Sequence, residues 1–65
     1  MKTNKEITNI TDILKSKVGL TFKNADNEWF ECVAFDIAKE LLCLSGGDIY
    51  LDVTMTELNR DYQVI

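Results

Sequence analysis

The apolar residues of this chain change their period along its length. Ile7, Ile10, Ile13, Leu14 and Val18 recur three and four residues apart, the spacing of one face of a helix. Thr8, Thr11 or Asp12 can cap its start, Lys15 and Lys17 suit its C-terminal end, and Gly19 marks where it stops. Residues 1–5 are polar and are expected to fray. From Leu20 the period falls to two. Leu20 and Phe22 alternate with Thr21 and Lys23 until Asn24, Ala25, Asp26 and Asn27, a run whose Asx side chains bond to their own backbone and predict a turn. Near the other end, Gly46, Gly47 and Asp48 predict a second turn. Ile49, Leu51, Val53 and Met55 then alternate with Tyr50, Asp52, Thr54 and Thr56, the pattern of a half-buried strand. The remaining "ELNRDYQVI" permits one helical turn and a short strand over residues 62–65.

Residues 28–48 fit both periods. As a helix, residues 27–44 align Phe30, Val33, Ile37, Leu41 and Leu44 on one stripe, with Asp26 as cap and Gly46 beyond the end. As strands, "EWFECVAFDI" and "ELLCLSG" meet at a tight turn near Ala38 and Lys39. The helix leaves Trp29, Phe35 and Leu42 off its stripe, three large residues in a chain with little core to spare. It also leaves only one well-patterned strand with one weak partner, and an isolated strand pair is marginal. Strands instead give a meander of short elements separated by turns. The expected fold is therefore mainly β. The alternative is an α+β fold with a central helix at 27–44 and a C-terminal strand pair.

Length and composition bound what such a fold can do. Sixty-five residues make a single domain that buries only about 60% of the surface of its unfolded chain. A core of that size supplies roughly 3–5 kcal/mol. Self-association is one way to supplement it, and a homo-oligomer is an open possibility. With no His and only Cys32 and Cys43, the chain cannot assemble a Cys/His zinc set, and neither a metal nor a cofactor is expected. The opening "MKTNKEITNI" has no apolar run of signal-peptide length, and no segment approaches the ~20 apolar residues of a membrane span. The expectation is a cytoplasmic protein with reduced thiols and no membrane partner.

The net charge of −4 divides unevenly. Residues 1–25 carry five Lys against Glu6 and Asp12, a balance of +3; residues 26–65 carry Lys39 and Arg60 against nine acids, a balance of −7. Ordinary solvated surface accounts for this, and so does an acidic surface that meets a basic partner.

The short N-terminal helix followed by "VGLTFKNADNEWFECVAFDIAKELLCLSGGDIYLDVTMTEL" resembles the SH3-like small-barrel superfold, and within it the Tudor-like and Sm-like members. Tudor-like second strands open on an aromatic pair and continue through small and apolar residues, as Trp29, Phe30, Glu31, Cys32, Val33 and Ala34 do. Their later alternating strand ends in a short turn carrying a Leu, similar to Val53 through Leu58. Sm-like chains place a helix before the first strand and end the second on a Phe-Asp pair, as Phe35 and Asp36 do here. Cys32 and Ala34 occupy positions where Sm-type second strands bend at Gly. The resemblance implies a five-stranded barrel that binds rather than catalyses.

The residues give the same expectation. Without His the commonest general base is missing, and neither Cys has a basic neighbour in sequence to lower its pKa. Gly46-Gly47 lacks the Lys-Ser or Lys-Thr of a phosphate loop. Asp48 and Asp52 lack the dense ligand spacing of a calcium loop. No catalytic residue is assigned. What remains are aromatics beside acids: Trp29, Phe35 and Tyr50 with Glu31, Asp48 and Asp52, a set suited to a cationic side chain and equally to a barrel core. These six are the candidate partner-binding residues of a protein-interaction module. Two alternatives are an acidic inhibitor of phage or mobile-element type that occludes a basic host protein, and an Sm-like RNA-binding subunit using Lys15, Lys17 and Lys23. The charge makes nucleic acid the less expected partner.

Overall fold

The computed structural model describes the backbone of residues 2–65 and the side chains from Ile10 onward. Helix α1 (Lys2–Lys17) leads into strands β1 (Thr21–Asn24), β2 (Trp29–Asp36), β3 (Leu41–Gly46) and β4 (Ile49–Thr54). Helix α2 (Met55–Asp61) and strand β5 (Tyr62–Val64) follow. All strand pairs are antiparallel, in the order β4-β3-β2-β1-β5. The protein is thus mainly β, and residues 27–44 form a hairpin rather than a helix. Among the described residues β4 and β5 do not pair; the sheet stays open, with α2 joining its two edges. No described helix is long and apolar enough to cross a membrane.

The N-terminal helix starts earlier than the sequence suggests. It is already formed at Lys2, and Thr8, Thr11 and Asp12 lie inside the helix rather than capping it. No Gly or Pro interrupts residues 2–17, so nothing local stops the helix from propagating upstream. The side chain of Ile7 lies outside the described residues. Gly19 does end the helix, at φ +93°, where a side chain would be strained. Its N–H donates to the carbonyl of Cys32, and the N–H of Cys32 donates to that of Leu20, so the helix exit is stitched to β2.

The core lies on one face of the sheet. Phe22, Phe30, Cys32, Leu42, Leu44 and Val53 come from the strands, while Leu14 enters from α1 and Leu58 from α2. Each helix therefore covers part of a face that an open sheet would leave wet. The capping box that starts α2 fixes the approach of Leu58: Thr54 Oγ1 accepts from the Glu57 N–H, and the Glu57 carboxylate accepts from the Thr54 N–H. At the C-terminal edge Tyr62 packs edge-on against Phe30, with ring centroids 5.9 Å apart.

Two turns set the register of the meander. Asn24 organises the first: its Oδ1 accepts from the N–H groups of Asp26 and Glu28, and its Nδ2 donates to the Glu28 carboxylate. Asn27 takes the left-handed conformation at φ 61°, which Asn tolerates better than most residues. Gly46 serves by its size. A Cβ there would stand 2.5 Å from Cδ2 of Phe30 and 3.3 Å from the Trp29 carbonyl oxygen. Because the Phe30 ring is fixed in the core, it has little room to give way. Gly46→Ala is expected to destabilise the fold by about 1–3 kcal/mol through overpacking, measured as a lower urea midpoint with unchanged slope; a midpoint equal to wild type would show that the ring moves freely.

Candidate protein-binding face

Strand pairing places the candidate residues. Thr21, Glu31, Ser45 and Tyr50 form one row across β1 to β4, and Lys23 lies opposite Trp29 in the neighbouring position. Phe30 and Cys32 point into the core, so Trp29 and Glu31, which alternate with them, point the other way. Leu42 and Leu44 are likewise buried, leaving Cys43 and Ser45 on the outer face. On β4, Leu51 and Val53 face the core side, and Tyr50 and Asp52 face outward. Trp29, Glu31, Tyr50 and Asp52 thus share one face, all exposed. Trp29 is 62% and Tyr50 70% exposed. Glu31 and Tyr50 are two strands apart, about 10 Å between backbones at ordinary strand spacing. Asp48 sits exposed in the β3–β4 turn at the end of this face.

Phe35 does not belong to the set. Glu31 pairs with Ser45 and Cys32 with Leu44, but Ala34 pairs with Cys43 and Phe35 with Leu42, leaving Val33 as an extra residue in β2. This bulge reverses the parity of everything after it. Phe35 turns to the core side, where it packs half-buried against the core, while Ala34 is exposed on the outer face. The sequence held no signal for the reversal, because residues 32–35 are all apolar or small and fit either parity.

The same bulge separates the cysteines. Cys32 and Cys43 lie on neighbouring strands, but Cys32 faces the core and Cys43 the outer face, and both are free thiols. Cys43 lines a shallow cavity of about 190 Å³ with Ala34, Phe35, Asp36, Lys39, Leu41 and Asp52. Asp36 is committed to the β2–β3 turn at the rim, where its Oδ1 accepts from the N–H groups of Ala38 and Lys39.

The three lysines of the alternative reading do not gather. Lys23 stands on the outer face beside Trp29, a position that places it with the aromatic set. Lys15 and Lys17 lie in the last turn of α1, the helix that docks through Leu14 on the core side. The sheet separates them from Lys23. The outer face also includes Ser45, which the sequence reading passed over although its alternation with the buried Leu44 and Leu42 marks it. No protein-family model, curated protein or solved structure matches the chain.

Burial pushes the Cys32 thiol above the ordinary range, partly offset by the backbone of Ala34. A neutral thiol held in the fold and released on unfolding means that the folded state binds its proton more tightly. This contribution to stability is full below the ordinary thiol pKa of about 8.5 and is lost as the pH rises through the raised value. Stability is therefore expected to decline as the pH rises from about 8.5 towards the raised value, and the decline should be smaller in Cys32→Ala. Native alkylation with iodoacetamide is expected to modify Cys43 while sparing Cys32, read by mass spectrometry of the intact protein and its peptides; equal labelling of both would contradict the assigned faces.

Proposed function

We propose that the protein is a non-catalytic interaction module of the SH3-like small-barrel kind that binds a protein partner with a basic surface through the outer face of β2–β4. The observation that carries this reading is the exposure of Trp29 and Tyr50 on one face, in a domain whose described residues include only eight that are buried. Burying Trp or Tyr gives more stabilisation than most other side chains can supply, so leaving both in water favours a role outside folding. Glu31 and Asp52 on the same face would complement the charge of a basic partner. The order of helix, four meandering strands, a short helix carrying Leu58 and a last strand supports the SH3-like reading.

The barrel remains open between β4 and β5, and Tudor-like or Sm-like kinship rests on the motif resemblance alone. A second reading, an acidic inhibitor of phage type that covers a basic enzyme surface, is favoured by the excess of acids over residues 26–65. It uses the same face and differs in depending mainly on charge. Such binding weakens steeply with added salt, whereas an aromatic-centred contact persists.

Trp29→Ala with Tyr50→Ala is expected to preserve the far-UV circular dichroism spectrum and the urea midpoint, since neither ring joins the core. The same double variant should lose the partner that wild type captures from a lysate of the native host. Undiminished capture by the correctly folded variant would sink the proposal.

A further inference from the structure

Building on that protein-binding reading, we infer that the free edge of β4 receives an extended basic segment of the partner as an added antiparallel strand. β4 is the edge strand of the sheet beyond β3, and none of the described residues pairs with its other side. Edge strands normally carry a Lys, a Pro, a bulge or very short length to prevent pairing. β5, the opposite edge, spans only three residues. β4 spans six, has neither Lys nor Pro, and pairs with β3 without a register shift. Its one charge is Asp52, on the outer face, and it is the longer and less protected edge of the two.

The direction of its backbone follows from the turn. Gly46 and Ile49 close a two-residue hairpin, so the ladder bonds to β3 fall at Ile49, Leu51 and Val53, and the N–H and C=O groups of Tyr50 and Asp52 turn to the free edge. The Thr54 N–H, next in that series, is likewise outside the ladder and donates to the Glu57 carboxylate. The residues that offer their backbone at the edge are thus those whose side chains stand on the binding face. A strand added there would set one residue opposite Asp52 and another opposite Tyr50. On the other side of the sheet, Ile49 is 53% exposed and Leu51 half-buried, leaving apolar surface for the residue between them.

Charge selects the occupant. Residues 40–59 hold Glu40, Asp48, Asp52 and Glu57 and no Lys or Arg. A second copy would bring either an equally acidic β4 or the three-residue β5, which has no Lys or Arg, whereas Lys or Arg opposite Asp52 forms a cross-strand pair of opposite charge. The fitting segment is extended, with basic and apolar residues in alternation.

The probe is a blocked decapeptide of alternating lysine and valine, with a glutamate-valine peptide as control, added to the whole protein and followed by amide hydrogen exchange in NMR spectra. Exchange at Tyr50 and Asp52 should slow by at least about tenfold with the basic peptide, and not with the acidic one. Asp52→Pro removes an edge N–H together with the carboxylate that faces the basic residue, without touching the β3 ladder, and should weaken the peptide by at least about tenfold. Asp52→Lys, a folding-neutral control for the proline, should abolish binding. Peptide shifts confined to the surroundings of Trp29, with Tyr50 and Asp52 exchanging as before, would overturn the edge and leave the face reading standing. Absence of binding, or concentration-dependent protection in the protein alone, would overturn the basic strand; the latter would assign the edge to a second copy. Loss of partner in Trp29→Ala, with Asp52→Pro and Asp52→Lys retaining it, would separate the face from the edge in the same way.

Discussion

The single extra residue at Val33 governs how both faces of the sheet are composed. Before it, the even-numbered residues of β2 enter the core; after it, the odd-numbered one does. Phe30 and Cys32 occupy the first half of the interior and Phe35 reaches the second, so the bulge lets one strand deliver large side chains inward along its full length. Without it, Phe35 would join Trp29 on the outer face and Ala34 would face Leu42 across an underfilled core. A bulge also bends its strand and increases the local twist.

The elements around this strand are held by few but well-placed contacts. Among the described residues each of the two helices contributes one deeply buried side chain, Leu14 or Leu58. Their positions are set by the chain just outside them: the Gly19 turn bonded to Cys32, and the Thr54 capping box. Phe30 sits at the meeting point of three constraints, packing into the core, touching Tyr62 edge-on and leaving no space for a side chain at Gly46. Close packing of this kind transmits small volume changes, which makes the β2–β3 hairpin the stiff centre of the domain and leaves its turns and outer face free to vary.

Much of this was legible in the residues. The Asx run at 24–27 and the Gly-Gly-Asp turn each carry their own backbone chemistry, and the alternation of residues 49–54 identifies its face directly. The hairpin over residues 28–48 was readable from what a helix would have wasted. Register within β2 was not, because apolar side chains on both sides of Val33 fit either face, and a bulge is decided by pairing across strands rather than by local preference. That is why Trp29, Glu31, Tyr50 and Asp52 came out together while Phe35 did not, and why Cys32 and Cys43 proved to be neighbours in strand order but not in face. The upstream extent of α1 was hidden for a different reason: polar residues without helix breakers carry no boundary signal.

Trp29 is the only tryptophan in the chain, and it stands in water while the residues around it in sequence build the core. Its indole is 62% exposed, so its surroundings change less on unfolding than those of a buried tryptophan. Intrinsic fluorescence, the usual optical reporter of folding, responds weakly to the loss of this core, and its emission instead moves to shorter wavelength when something covers the outer face. The domain carries a built-in sensor of occupancy.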